Sequence, residues 1–333
     1  MKRFSCQSCG HPVFFDSDQC LACGARLAYD PVAMEMVSMG EEEWQERVCL
    51  NGREHGVCNW LRPADDSHPL CTGCQFNRYV PNQSRPENQQ RWKRLEEGKK
   101  RLFFTLGQLG MPLVDGWRDP ENGLLLDFIE DGRTSDEFAE TFVSTGYLGG
   151  IITINVLEAD SVARVAAREQ LGERYRTVLG HLRHESGHFF WHRLNPGPDL
   201  KESFRELFGD EQRDYSRALA DHYEQGPPDH WWEQHISAYA SAHPVEDWAE
   251  TWGHYLHIWD ALDTAAAHGI VFRNPAEMTI WERIGEWREL SITLNEMNRS
   301  VGRGDAYPFV INSMVAQKLA FVDEVILRLQ GFH

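Results

Sequence analysis

The sequence lacks any long uninterrupted apolar run. None of its stretches approaches the roughly 18 consecutive apolar residues that a membrane span requires. The segment MKRFSCQSCG at residues 1–10 also lacks the apolar core of a signal peptide. The pattern therefore predicts neither a membrane span nor secretion, and we expect a cytoplasmic protein. With 41% hydrophobic and 25% charged residues in 333 positions, the composition is that of an ordinary globular chain.

Positive charge is also scarce. The chain has 33 Lys and Arg residues against 51 Asp and Glu residues, a net charge of −18. Because like charges repel at long range, this balance argues against a nucleic-acid backbone or an anionic membrane as a partner. The first part of the chain, residues 1–85, is not basic either, so a DNA-binding role is not expected for it.

Cysteine is absent after residue 74, and all eight cysteines lie in the first part of the chain. This division predicts two domains, a cysteine-rich domain at residues 1–85 and a second domain at residues 86–333. The polar segment PNQSRPENQQ at residues 81–90 contains two prolines and is expected to be the linker.

The first four cysteines form the pattern CxxC-x10-CxxC. Each two-residue gap allows a tight turn to aim two thiolates at one ion, and Gly10 and Gly24 permit the positive φ that such turns need. This spacing is typical of a zinc ribbon and predicts a structural zinc ion held by Cys6, Cys9, Cys20 and Cys23. A second, looser group predicts another structural zinc ion, held by Cys49, Cys58, Cys71 and Cys74.

Disulfides and a redox iron site are the alternatives for these cysteines. Disulfides are disfavoured in a chain without a secretion signal, and no motif for a partner redox cofactor accompanies the cysteines. Closed zinc sites would supply folding free energy that so short a segment lacks. We expect the zinc ribbon to act as a scaffold or to contact a protein partner.

A helix predicted from residue 164 to residue 194 carries the motif HExxH. Its histidines, His184 and His188, are one turn apart, so both imidazoles can reach one metal ion, while Glu185 lies about 100° around the helix. Two imidazoles with an open fourth position suit a catalytic zinc ion, and a glutamate beside it suits a general base. The bare motif arises by chance in roughly one such chain in twenty, so a third ligand is needed.

Candidates for the third ligand lie in a second predicted helix that begins at Pro244. Glu246 and Glu250 are one turn apart, so one could ligate zinc while the other accepts a hydrogen bond from a ligand imidazole. Alternatively, Glu246 and Asp247 merely complement the helix dipole.

Two further alternatives for the third ligand remain open. Asp136 and Glu140 have a similar spacing but lie upstream of HExxH, and His181 lies three residues before His184. A histidine at that position is more often a supporting or surface group than a ligand.

With its downstream segment YASAHPVEDWAE, the motif resembles the gluzincin branch of the HExxH metallopeptidases. The resemblance implies that Glu246 is the third zinc ligand. It also implies that Tyr239, seven residues before that ligand, assists the oxyanion, a hydrogen bond that would stabilise the transition state. The alternatives are that Tyr239 is a buried aromatic with a satisfied hydroxyl, and that His243 takes the oxyanion role or caps the helix.

Over nearly its full length the chain looks like the bacterial family of zinc-ribbon, putative zinc-binding metallopeptidases. The residues that carry this likeness are the four-cysteine ribbon and the segments HESGHFFW, FRELFGDE and YPFV. The resemblance implies an α+β fold, with a small zinc-ribbon domain before a mostly helical zincin-like domain that contains a small mixed sheet. It also implies an edge strand that pairs with extended substrate. Residues 146–160 suit this strand, although an ordinary core strand is the alternative.

Other elements are predicted from their patterns. A strand is expected at residues 123–131, a helix with a solvated basic face at 91–111, and two core helices at 281–302 and 307–330. The stretch between His188 and Glu246 spans 58 positions. Its aromatic residues are expected in the core rather than at the substrate: Tyr215, Tyr223, Trp231 and Trp232.

Together these patterns predict a zinc metallopeptidase that acts on a peptide or protein substrate. One catalytic and two structural zinc ions are expected, with Glu185 as the base and Glu250 as the support of a ligand imidazole. One alternative is an interaction module whose zincin domain turns over little, although an intact Glu185 argues against it. Another is hydrolysis of a non-peptide amide, because zinc, water and glutamate act alike on any amide carbonyl.

Overall fold

The computed structural model describes residues 1–64, 67–135, 138, 142–171 and 176–331. The strands in these ranges are β1 (Phe4–Ser5), β2 (Pro12–Val13), β3 (Arg26–Asp30), β4 (Glu35–Met39), β5 (Asn77–Tyr79), β6 (Leu125–Ile129), β7 (Gly146–Leu148) and β8 (Ile151–Asn155). The helices are α1 (Glu41–Arg47), α2 (Leu50–His55), α3 (Pro86–Gln108), α4 (Ser161–Leu171), α5 (Val178–Leu194), α6 (Pro198–Phe208), α7 (Tyr215–Gln225), α8 (Pro244–Ala267), α9 (Ile280–Ser300) and α10 (Ser313–Gln330). The predicted fold class is confirmed, because a four-cysteine ribbon region with small sheets precedes a larger, mostly helical part.

The ribbon region is joined to the larger part by a shared core. It contains two antiparallel pairs of strands, β1 with β2 and β3 with β4. Phe15 packs edge-on against Phe104 of α3, with ring centroids 5.3 Å apart. Strand β5 lies within residues 1–85 but pairs in parallel with β6 of the larger part. The division at residue 85 stays a prediction, and the two parts share both a sheet and apolar packing.

Helix α3 differs from its prediction in two ways. It begins at Pro86, inside the expected linker, because proline suits the first position of a helix. The expectation of a solvated basic face is wrong for Lys99 and Lys100, which are both buried. Their charges find partners inside: Nζ of Lys99 lies 2.7 Å from Oε2 of Glu96, and Nζ of Lys100 donates to Oδ1 of Asn59 at 3.0 Å.

The mixed sheet has the strand order β5-β6-β8-β7. Strand β8 lies inside the sheet, parallel to β6 on one side and antiparallel to β7 on the other. The segment 146–160 is therefore not one edge strand. Its β-branched part is interior, because it bonds to neighbours on both sides, and the edge is left to the short β7. Gly149 and Gly150, with φ of 55° and 84°, form the turn between these two strands.

The helix predicted from 164 to 194 is two helices, α4 and α5. Residues 176 and 177 are not helical, and residues 172–175 lie outside the described part of the chain. Thr177 caps α5, because its hydroxyl accepts a hydrogen bond from the backbone N–H of Gly180 at 2.9 Å. At the other end, Asn195 adopts a left-handed conformation with φ of 42°. The HExxH motif thus lies on a helix with a defined start and end.

Helices α5, α6, α9 and α10 pack against α8. Helix α9 begins at a capping box between Thr279 and Glu282, one residue before its predicted start. Helix α10 begins at 313 rather than 307, because the side chain of Asn312 caps it by accepting from Val315 N at 2.9 Å. Within the described ranges, no helix is both long enough and apolar enough to cross a membrane.

Helices α5 and α8 approach closely at Gly187, inside the HExxH motif. A β-carbon at this position would lie 3.0 Å from Cγ of Trp252 and 3.1 Å from Cα of Ala249. We expect Gly187→Ala to lower the free energy of unfolding by about 1–2 kcal/mol, because overpacking outweighs the gain in helix propensity. Urea unfolding followed by circular dichroism would measure this.

Gly285→Ala is the matched control, because Gly285 is exposed on α9 and an added β-carbon meets nothing within 4 Å. This substitution should stabilise the protein by up to about 1 kcal/mol. If both alanine variants were equally stable, the close approach of α5 and α8 would be contradicted.

Candidate active site

Three candidate metal ligands meet where α5 and α8 pack together. Nε2 of His184 lies 3.3 Å from Nε2 of His188 and 3.0 Å from Oε2 of Glu246. Nε2 of His188 lies 3.6 Å from Oε1 of Glu246. One ligand atom from each residue falls within 4.8 Å of the others. The structure thus brings together the histidine pair and the glutamate that the resemblance implied.

The start of α8 is determined by His243. Its Nδ1 accepts a hydrogen bond from Val245 N at 3.2 Å, and its Nε2 donates to the carbonyl oxygen of Arg213 at 3.1 Å. Pro244 occupies the first turn, where its missing N–H costs nothing. The sequence left two roles open for His243, an oxyanion role and a helix cap. In the structure His243 caps the helix. This cap holds Glu246 in the first turn, facing α5.

Glu250 lies one turn further along α8 and contacts the same imidazole. Its Oε1 is 2.8 Å from Nδ1 of His184, and its Oε2 accepts from the hydroxyl of Ser237 at 2.6 Å. Burial opposes ionisation of Glu250, but these hydrogen bonds and the charge of His184 lower its pKa to about 2. An ionised carboxylate only accepts, so Nδ1 of His184 carries the proton that it donates. In the neutral imidazole this leaves the lone pair on Nε2, where a metal ligand needs it.

The distances fit a zinc ion at this position. Zinc–nitrogen bonds of about 2.0–2.1 Å at tetrahedral angles place ligand atoms about 3.3–3.4 Å apart. The separation of 3.3 Å between the two Nε2 atoms and that of 3.0 Å between Nε2 of His184 and Oε2 of Glu246 lie close to that value. The other oxygen of Glu246, Oε1, lies 3.6 Å from Nε2 of His188. The donor set, two imidazoles and a carboxylate, is one that zinc prefers.

The two groups of four cysteines fit zinc equally well. Tetrahedral zinc–thiolate bonds of about 2.3 Å place sulfur atoms about 3.8 Å apart, whereas a disulfide requires about 2.05 Å. The sulfurs are separated by 3.7 Å in the pairs Cys6–Cys23, Cys9–Cys20 and Cys58–Cys71. All eight cysteines are free thiols. The first group is partly exposed, and the second is fully buried.

A cleft of about 540 Å³ opens in front of the three candidate ligands. One wall comes from the edge strand β7 and the residues before it, and the other walls come from α5, α7 and α8. Its lining residues are Ser144, Thr145, Gly146, Tyr147, Leu148, Thr153, His184, Glu185, His188, Tyr215, Tyr239, Val245 and Glu246. The cleft therefore joins a sheet edge to the cluster of imidazoles and carboxylates.

Glu185 and Tyr239 both line this cleft. Glu185 is buried, and this burial raises its pKa against the opposing effect of the two imidazoles. The ring of Tyr239 lies 6.0 Å from that of His184. Burial raises the pKa of Tyr239 far above neutrality, so its hydroxyl keeps the proton that a hydrogen-bond donor needs. Glu185 is thus the buried carboxylate beside the ligands, and Tyr239 is a protonated donor in the same cleft.

Tyr215 is the residue that the sequence analysis misjudged. Its hydroxyl donates to Oε1 of Glu246 at 2.8 Å, and its ring is half exposed in the cleft rather than buried in the core. The core expectation is also wrong for Tyr223 and Trp232, both of which are more than half exposed. No spacing rule could have identified Tyr215, because it begins α7 and lies 31 residues from Glu246.

Of the alternative third ligands, His181 does not join this cluster. Nδ1 of His181 lies 3.6 Å from Oε2 of Glu158, and His181 is not among the three residues that converge. Asp136 and Glu140 lie outside the described residues. Asp247 is buried and accepts from Nζ of Lys318 at 2.5 Å, so its carboxylate is engaged elsewhere.

Comparisons with known proteins give two family matches. Residues 88–325 match the family described as "Putative zinc-binding metallo-peptidase", and residues 3–85 match a zinc-ribbon domain. Uncharacterized proteins of Mycobacterium tuberculosis (strains H37Rv and CDC 1551) and Mycobacterium bovis are 37% identical over 334 residues, covering 98% of this chain and 95% of theirs. No solved structure gives a significant match.

Proposed function

The chain belongs to the family of putative zinc-binding metallo-peptidases, and from this premise we propose that it hydrolyses peptide bonds with a zinc ion held by His184, His188 and Glu246. The observation that carries the proposal is the convergence of these three side chains beside the buried Glu185, at the floor of a cleft with a strand edge on one wall. A cleft of this shape suits an extended peptide or protein substrate.

Glu185, Tyr239 and Glu250 each have a role in the proposed reaction. Bound zinc supplies Lewis acidity, which lowers the pKa of a water molecule and polarises a carbonyl group. Glu185 accepts the proton of the attacking water and delivers it to the nitrogen of the leaving amine. Tyr239 donates a hydrogen bond to the carbonyl oxygen as negative charge develops there. Glu250 holds the imidazole of His184 in the tautomer that leaves Nε2 free.

The ribbon region, residues 1–85, is proposed to hold two structural zinc ions, one in each group of four cysteines. The larger part, residues 86–333, would then carry the single catalytic ion. Closed four-thiolate sites have no open position and contribute to folding rather than to hydrolysis. The purified protein should therefore contain three zinc ions. A protein contact through the ribbon stays a prediction.

Glu246→Ala tests the assignment of the third ligand. The variant should contain two zinc ions instead of three, because two imidazoles alone hold zinc weakly, and it should not cleave a library of proteome-derived peptides. Metal content would be measured by mass spectrometry of the digested protein, and cleavage by sequencing the peptide products.

Glu206→Ala, on the exposed face of α6, is the control and should match the wild type in both measurements. Three zinc ions together with undiminished cleavage in Glu246→Ala would move the third ligand elsewhere, to His181 or to the acids at 136 and 140.

A further inference from the structure

The two oxygens of Glu246 have different surroundings. Oε2 lies 3.0 Å from Nε2 of His184, whereas Oε1 accepts a hydrogen bond from the hydroxyl of Tyr215 at 2.8 Å. Glu246 is almost completely buried, so water does not compete for these positions.

Tyr215 is held in place by the ends of two helices. Its neighbour Asp214 caps α7 by accepting from Arg217 N at 3.0 Å. The carbonyl oxygen of Arg213 accepts from His243, the residue that caps α8. The ring of Tyr215 stands edge-on to that of His243, with centroids 5.2 Å apart. The start of α7 is thus fastened to the start of α8, which aims the hydroxyl at Glu246.

We propose that Tyr215 is a positioning residue that makes Glu246 a one-oxygen ligand. The inference rests on the proposed function. A free carboxylate can bind a metal ion through both oxygens, and the second oxygen would then add a fifth ligand and crowd the position that a catalytic zinc ion keeps open for water. Donation from Tyr215 engages Oε1, which lies 3.6 Å from Nε2 of His188, whereas Oε2 lies 3.0 Å from Nε2 of His184 and is the oxygen left for the metal ion. Tyr215 therefore preserves the open position by acting through Glu246, without touching substrate.

The test uses the full-length Tyr215→Phe variant, which removes only the hydroxyl. One zinc equivalent is exchanged for Co²⁺, and the visible absorption spectrum of cobalt, which weakens as the number of ligands rises, reports how Glu246 binds. The spectrum of the identically treated Glu246→Ala variant is subtracted to remove any cobalt held by cysteines. We expect the Tyr215→Phe variant to retain three metal ions, to absorb more weakly than the wild type, and to lose about 10- to 100-fold in kcat.

Two tyrosine variants serve as controls. Tyr79→Phe, on the exposed strand β5 at the opposite edge of the sheet, should leave the spectrum and kcat unchanged. Tyr239→Phe should lower kcat and leave the spectrum of the substrate-free protein unchanged, because its proposed contact is with substrate. The contrast between Tyr215→Phe and Tyr239→Phe separates positioning of the ligand from contact with the oxyanion.

Each outcome decides the inference. A wild-type spectrum with wild-type kcat in Tyr215→Phe would overturn it and leave the proposed function standing. A lowered kcat with an unchanged spectrum would assign Tyr215 to substrate instead, which also overturns it. Loss of the third metal ion from this variant would also overturn the inference, because Tyr215 would then support metal affinity rather than the mode of binding. If the cobalt absorption spectra of the wild type and the Glu246→Ala variant were identical, the proposed function itself would be refuted.

Discussion

Glu185→Gln should lower kcat for peptide cleavage by about 10²- to 10⁴-fold, the usual contribution of a general base, while zinc content stays at three ions per chain. Glutamine has nearly the shape of glutamate but cannot take a proton from water. Glu185 is buried beside His184 and His188 without being one of the three converging ligands, so its replacement should not release metal. The defect should lie in kcat rather than KM, because the amide side chain still fills the same space.

The measurement pairs cleavage profiling on proteome-derived peptides with metal analysis of the same preparation. Glu206→Gln, a chemically identical change on an exposed face of α6, should behave like the wild type. Loss of a zinc ion from Glu185→Gln would argue that Glu185 is a ligand. Undiminished cleavage with three ions would remove it from the mechanism, and cleavage by neither the variant nor the wild type would favour a non-peptide amide as the substrate.

Cys74→Ser should lower the free energy of unfolding by about 3 kcal/mol or more and remove one zinc ion, because a closed zinc site contributes its binding free energy to folding. The effect should reach the larger part of the protein. Sγ of Cys74 lies 3.8 Å from Oε2 of Glu96 on α3, and Glu96 is paired with Lys99 in a site without solvent exposure.

Helix α3 connects the second group of cysteines to α5, the helix that carries the HExxH motif. A β-carbon at Gly98 of α3 would lie 2.9 Å from Cγ1 of Val178 and 3.2 Å from Cδ1 of Leu182, both on α5. Loss of the second ribbon site should therefore loosen α3 against α5, and cleavage should fall together with stability. Thermal unfolding, zinc content and kcat of the same preparation would measure the three effects.

Cys9→Ser is the informative comparison. Cys9 is exposed and belongs to the first group of cysteines, so this variant should also lose one zinc ion. It leaves the contact with Glu96 intact, and we expect a smaller fall in the unfolding temperature with cleavage retained. Equal destabilisation by the two serine variants would contradict the special role of the buried site, and three zinc ions in Cys74→Ser would exclude Cys74 as a ligand.

Motifs with short spacing were predictable from the sequence because local geometry determines them. The CxxC turns aim their sulfurs at one point, so that the four sulfurs of the first group lie within 4.8 Å of one another. The four-residue step from His184 to His188 places two nitrogens 3.3 Å apart on one helix face. The helix that begins at Pro244 could be predicted because proline in the first turn and an apolar stripe are properties of the segment itself. Their roles in zinc binding and hydrolysis stay predictions.

Contacts between distant segments could not be predicted from such local patterns. Periodicity indicates that a side chain lies on one face of a helix, but it does not indicate which other segment covers that face. Lys99 and Lys100 looked like a solvated charged face and are buried, because acidic and amide groups of other segments meet them there. Strand β8 was taken for an edge, and only its pairing with β6 and β7 makes it interior.

The sequence by itself determined the family, the mostly helical class and the residues able to bind metal, since these depend on composition and on spacings of a few residues. Only the tertiary structure decided that Tyr215 reaches Glu246 across 31 residues and that Glu250 reaches His184 across 66. Such contacts depend on how whole helices pack. The crossing of α5 over α8 at Gly187 and the joined starts of α7 and α8 bring these groups within hydrogen-bond distance.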